Sequence, residues 1–189
     1  MSVQRPAEEQ TKLVEQFRFG DRAAFTALVR MWEQRLLTVA YRVVGNLPDA
    51  EEVRQIVLVK LAQLPQRLPD SSRFAGWLRR CVVNEAISWL RRRGAEANRT
   101  EPFDDALASR SPSPAERAIA NERSQQLQEA LQQIDPDLRA LLSLRFDEGL
   151  SIRAIAEVMD RPPMTVHSQI TRAVGQLRHL LASNSRSEE

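Results

Sequence analysis

Cysteine is almost missing from this chain. Cys81 is the single one in 189 residues, so no internal disulfide can form and no Cys/His metal set can be assembled. A lone thiol on an apolar helical pattern belongs to the core. Histidine is nearly as scarce, with His167 and His179 both near the C-terminal end. The six glycines are scattered, and none gather into a phosphate-cradling loop. Carboxylate neighbours occur as Glu51–Glu52 and Asp104–Asp105. On a helix such neighbours point about 100° apart, so Glu51 and Glu52 do not share one site, and Asp104–Asp105 belongs to an acidic linker. These absences argue against an enzyme and predict no metal and no cofactor. No apolar signal core follows the opening Met-Ser-Val-Gln-Arg-Pro, and no apolar run reaches 18 residues. The expectation is a cytoplasmic protein with no membrane insertion of its own. Alternating apolar runs long enough for a paired strand are missing too, so the fold class reads all-α.

Apolar residues make up 42% of the chain, enough for a packed core. Leu13, Val14 and Phe17 form a short face that ends near Gly20. Asp21 then caps a long helix with Phe25, Leu28, Val29, Trp32, Leu36, Ala40, Val43 and Val44 on one stripe, stopped by Gly45. Pro48 starts the next helix, which runs to Pro65. Residues 65–72 read as a loop and Ser72 as the cap of a helix that ends at Gly94. Residues 95–114 hold Pro102, Pro112, Pro114 and several serines, a linker composition. Helical pattern resumes near Ala115 and holds to about Gln133. Asp135-Pro136 opens a further helix closed by Gly149, Ser151 caps a short one to Met159, and a last one spans about Thr165 to Leu181. The expected layout is a helical domain at 11–94, a flexible linker at 95–114, a second helical domain at 115–181 and a disordered tail at 182–189.

Charge is distributed unevenly around a net +2. Residues 73–99 carry seven arginines against two glutamates, whereas residues 100–148 carry five basic against ten acidic side chains. Lysine is confined to Lys12 and Lys60, so nearly all positive charge is arginine, whose fork suits phosphates and base edges.

The C-terminal stretch SIRAIAEVMDRPPMTVHSQITRAVGQLR places two helices around a short turn. Ile155, Val158 and Met159 supply one apolar face, and Val166, Ile170, Val174 and Leu177 the other. Ala156 is small where the helices approach. His167, Ser168, Thr171 and Arg172 then face outward near the start of the last helix, where a recognition helix meets base edges. The plainer reading is two packed surface helices. The second signal is the basic segment with Arg79, Arg80, Arg91, Arg92 and Arg93 beside Trp77, Trp89 and Asn84. Arginine attracts phosphate and an aromatic can stack on an unpaired base. At helical spacing the two tryptophans equally suit a core.

Four stretches in this order resemble the extracytoplasmic-function (ECF) group of the sigma-70 family across about residues 11–181. They are GDRAAFTALVRMWEQRLLTVAYRVVGN, DAEEVRQIVLVKLAQ, FAGWLRRCVVNEAISWLRRR and the helix-turn-helix. The resemblance implies a sigma-2-like domain, a linker and a sigma-4-like domain. It implies an initiation factor whose partners are core RNA polymerase, promoter DNA and an anti-sigma factor or other inhibitory partner. Asp49, Glu52, Val53, Gln55 and Ile56 would bind polymerase, with core packing as the competing role for Val53 and Ile56. Asn84 and the 65–72 loop would hold a flipped base of the −10 element, with Arg79, Arg80, Arg91, Arg92 and Arg93 on phosphates. Thr165, His167, Ser168, Thr171 and Arg172 would meet the −35 element. The free protein would be compact or masked and would spread on polymerase when released. Asp160, Arg161 and Met164 depart from the family's usual residues in the turn, and Gly175 interrupts the last helix, which points to unusual −35 recognition. A stand-alone helix-turn-helix regulator is the alternative, with the arginine cluster of the N-terminal half against it.

Overall fold

The computed structural model describes residues 4–63, 65, 68–97 and 122–184, and among them every regular element is an α-helix. In chain order these are α1 (Gln4–Arg18), α2 (Arg22–Val44), α3 (Leu47–Gln63), α4 (Ser71–Ala97), α5 (Glu122–Gln132), α6 (Pro136–Phe146), α7 (Ile152–Met159) and α8 (Pro163–Asn184).

Local chemistry sets the helix ends. The Asp21 carboxylate accepts from the backbone N–H groups of Ala23 (2.7 Å) and Ala24 (3.2 Å), which satisfies two donors at the start of α2. Gly45 ends α2 in the left-handed region at φ 95°, its N–H donating to the Tyr41 carbonyl. Its missing side chain has a second use, because a Cβ there would collide with the Gln132 side chain of α5. Asn46 accepts from the Asp49 N–H (3.0 Å) at the start of α3. Asp135 caps α6 ahead of Pro136, and the Ser151 hydroxyl accepts from the Ala154 N–H at the start of α7.

Several boundaries differ from the sequence reading. Helix α4 starts at Ser71, since the Arg73 N–H already bonds the Asp70 carbonyl (2.8 Å), so Ser72 lies inside the helix and does not cap it. Helix α4 also passes through Gly94 to Ala97, because Ala95, Glu96 and Ala97 are good helix formers and nothing crowds the glycine. Helix α8 begins at Pro163, two residues before Thr165, and extends to Asn184, so residues 182–184 belong to it. Residues 98–121, which include most of the expected linker, and 185–189 of the expected tail lie outside the described residues.

The core follows from the i, i+3/i+4 spacing. Leu28, Trp32, Leu36, Val39 and Val43 of α2 meet Val53, Val57 and Leu61 of α3 and Phe74, Leu78 and Val82 of α4, all buried. Leu141 and Leu144 of α6, Ile155 of α7 and Val166 and Ala173 of α8 form the C-terminal half of the same apolar cluster. Each of the larger apolar side chains contributes roughly 1.5–3 kcal/mol on leaving water. The cluster is continuous: α2 packs on both α5 and α6, and α4 on α7. The two halves of the chain therefore rest directly on each other.

Candidate nucleic-acid interface

Helix α8 is built on a buried side of Val166, Ile170 and Ala173. Thr165, His167, Ser168, Thr171 and Arg172 are all exposed on its other side. Residues 164, 168 and 171 are three and four apart and so line one edge. Met164 is 79% exposed at the head of that edge, an apolar side chain open to solvent beside these polar ones. The Ser168 hydroxyl donates to the Thr165 carbonyl (2.9 Å) and the Thr171 hydroxyl to the His167 carbonyl (3.0 Å). Both oxygens then present lone pairs outward as acceptors. The turn before α8 holds despite its unusual residues. Asp160 adopts φ 54°, ψ 50°, a left-handed conformation that aspartate tolerates better than most residues. Arg161 pins the turn by donating to Asp137 of α6 (2.6 Å) and Gln169 of α8 (3.2 Å). The departure at 161 is thus a brace.

Helix α4 carries the second constellation. Arg80, Asn84 and Arg91 are four and seven apart and share a face, and Asn84 is exposed there. Arg79, Arg80, Arg92 and Arg93 are engaged within the protein. Arg79 lies 4.9 Å from the Trp32 ring centre and donates through two nitrogens to Glu148 (2.9 and 2.7 Å). Arg80 donates to the Val158 carbonyl (2.9 Å) and the Glu157 carbonyl at the end of α7. Arg92 covers Trp89 and donates to Glu85 (2.8 Å), and Arg93 pairs with Asp49 of α3. Trp77 packs against Phe74, as the core reading of that residue expects. Glu85 has a side chain only 8% exposed and also accepts from Lys60 of α3. Burial opposes its charge, but the hydrogen bonds from Lys60 and Arg92 outweigh burial and hold the carboxyl below its ordinary range. Burial pushes the half-buried Cys81 thiol up, so it stays protonated. In the 65–72 loop, residues 66 and 67 lie outside the described residues, and Leu68 is buried.

Helix α3 sorts the third set. Val53 is fully buried against α2, so it is a core residue and offers no surface to a partner. Asp49 is half-buried and held by Asn46 (2.8 Å) and Arg93. Glu52 and Gln55 are exposed and Ile56 half-buried. Val59, seven residues after Glu52 and on the same face, is 46% exposed. The sequence reading missed it, although an apolar residue on the charged side of a helix was the available signal.

Comparison with known proteins decides what these helices are. The Sigma-70 region 2 model matches residues 28–96, and the Sigma-70, region 4 model matches residues 124–177. The ECF RNA polymerase sigma factor SigE of Mycolicibacterium smegmatis is 33% identical over 184 residues, covering 95% of this chain and 71% of that protein. The chain belongs to the ECF group of the sigma-70 family. The RNA polymerase sigma-H factor of Pseudomonas aeruginosa is also 33% identical, over 88% of this chain and 90% of its own. Among solved structures, the fold of this sigma factor is similar to CnrH, solved in complex with the cytosolic domain of CnrY, at a TM-score of 0.68 and 22% identity over 93% and 98% of the two chains. It is likewise similar to RpoE of Bartonella quintana, solved in complex with the anti-sigma factor NepR, at 0.70 and 22% over 84% and 96%. Region 2 of the sigma factor thus runs from within α2 through α4, and region 4 from α5 into α8. A stand-alone helix-turn-helix regulator gives no reason for the region 2 match.

Proposed function

We propose that this sigma factor binds core RNA polymerase through α3, the −10 element through α4 and the −35 element through α8. The exposed edge of α8 carries the reading furthest, because five residues of a family recognition helix are all open to solvent on one element. On α4, Asn84 takes a flipped base while Arg91 and its neighbours hold phosphate. On α3, the stripe of Glu52, Gln55, Ile56 and Val59 meets polymerase, whereas Asp49 shapes that stripe from below by anchoring Arg93. On α8, Thr165, His167, Ser168, Thr171 and Arg172 read the major groove, and Met164 is placed to meet a thymine methyl. The protein acts by binding and uses no cofactor or metal of its own. Its partners are core polymerase, promoter DNA and an anti-sigma factor or other inhibitory partner. Its place is the cytoplasm, where polymerase and promoter are; no described helix is long and apolar enough to cross a membrane.

Permanganate probing of promoter DNA tests this. Thymines near −10 should become reactive when the protein and core polymerase are both present, without nucleotide hydrolysis. Protection of duplex DNA by the protein alone, unchanged by polymerase, would support the stand-alone regulator instead.

A further inference from the structure

Phe19 is the most exposed large apolar side chain among the described residues, at 93%. Phe17, two residues earlier, does what a core aromatic does: it is 6% exposed and its ring centre lies 5.1 Å from that of Phe25. Phe19 is nevertheless held in place. The Gly20 N–H donates to the Phe17 carbonyl (2.9 Å) and the Asp21 N–H to the Gln16 carbonyl (3.2 Å), with Gly20 at φ 89°. Those two bonds form a Schellman turn that closes α1 with Phe19 at its cap. Asp21 then caps α2. The backbone under Phe19 is fixed from both sides, yet neither the turn nor the core uses its ring. Arg18 ties this turn to the chain just ahead of α4, donating to the Leu68 carbonyl (2.5 Å) and lying 3.7 Å from the Asp70 carboxylate. Leu68 and Asp70 belong to the 65–72 loop, so the ring stands beside the −10 site. Around it, Arg18, Gly20, Asp21 and Arg22 are charged or lack a side chain, and the last three are exposed. A protein partner needs a contiguous apolar patch. A lone ring among charges suits an unpaired base, which stacks on one aromatic face and carries its own phosphate. Arg22 and Arg73, both exposed, supply positive charge for that phosphate.

We propose that Phe19 is a stacking platform for an unpaired base of the melted promoter strand, next to the base held by Asn84 and the 65–72 loop. This rests on the reading of α4 as the −10 interface. The ring contributes affinity for open DNA with little base preference, because every base has a π-face. In closed duplex the bases are already stacked on one another and offer Phe19 no free face. The contact therefore favours the melted promoter over the closed one. A fixed platform loses little freedom on binding, and the turn and the Arg18 tether provide that.

The test uses holoenzyme assembled from core polymerase and the full-length protein, on a promoter that it opens. Affinity is measured by anisotropy for a fluorescein-labelled fork DNA whose −10 region is single-stranded. Phe19→Ala should weaken fork binding about fivefold or more, the lower end of what one base–aromatic stack contributes, and leave affinity for core polymerase unchanged. Phe19→Trp should bind the fork at least as tightly as the wild type, and Phe19→Leu should fall with Phe19→Ala. Abasic substitution along the single strand should reveal one position, beside the flipped base, whose loss weakens the wild type but not Phe19→Ala. Unchanged fork binding in Phe19→Ala, with Asn84→Ala weakened, would overturn the platform. So would full affinity in Phe19→Leu, the absence of any abasic position coupled to Phe19, or lost affinity for core polymerase, which assigns the ring to a protein contact. If neither Phe19→Ala nor Asn84→Ala changes fork binding, the underlying reading of α4 fails as well.

Discussion

Removing the Glu85 carboxylate should cost the fold about 1–3 kcal/mol. The figure follows from the surroundings. Glu85 is 8% exposed at its side chain and joins Lys60 of α3 to Arg92 of α4. Breaking a fully buried pair costs roughly 3–5 kcal/mol, because the partner is left charged and dry. Here the partners are about half exposed, Lys60 at 49% and Arg92 at 52%, so each can turn to water and most of that penalty is avoided. What remains is the loss of two charge-assisted hydrogen bonds and a small void between α3 and α4. Urea unfolding of Glu85→Ala should show a midpoint lower by about 1 M for a slope near 2 kcal/mol/M. The pH dependence has a definite sign. The carboxyl is held below its ordinary range in the folded protein, so its contribution is fully present above the unfolded glutamate pKa of about 4.3. It is lost as pH falls through the depressed folded value. Glu85→Gln should therefore flatten the acid limb of the stability profile. An unchanged urea midpoint in Glu85→Ala, or the same acid limb in Glu85→Gln, would refute the reasoning.

Four further outcomes are expected. Asn84→Ala should lower the yield of open complex while leaving affinity for core polymerase unchanged, measured by permanganate reactivity and by co-elution; an unaltered yield removes Asn84 from the −10 site. Arg172→Ala should reduce discrimination among −35 sequences by about 1–3 kcal/mol if the contact is a bidentate base contact, and an equal loss on every sequence makes it a phosphate contact. Val59→Ser should weaken binding to core polymerase with stability changed by less than about 0.5 kcal/mol. Val53→Ala, by contrast, should cost about 2 kcal/mol of stability, because Val53 is fully buried.

Much of the fold was legible in the sequence because the signals were local. Asp21, Gly45, Asp135-Pro136 and Ser151 each set a helix end within one turn of themselves, and each does so in the structure. Gly94 misled because a glycine stops a helix only where the backbone turns left-handed, and strong helix formers follow it. The outward face of α8 was readable from its buried side. Partners were not readable. Nothing local ties Arg79 to a glutamate 69 residues away, or Arg93 to Asp49 44 residues back. A basic cluster in sequence says that arginines are present, but only packing says which are already engaged. The same holds for Val53 and Val59, six residues apart on α3, where the helix turn places one in the core and the other at the surface. Arg161, a departure when read against the family, gains its meaning from Asp137 and Gln169 on two other helices.

The most direct test of the central claim is in vitro transcription with core polymerase from the source organism on a pool of promoter DNA, with and without this protein. The account predicts new, specific start sites, preceded by shared −35 and −10 sequences, that appear only when the protein is added. Stable binding to DNA with no binding to core polymerase and no new transcripts would contradict it.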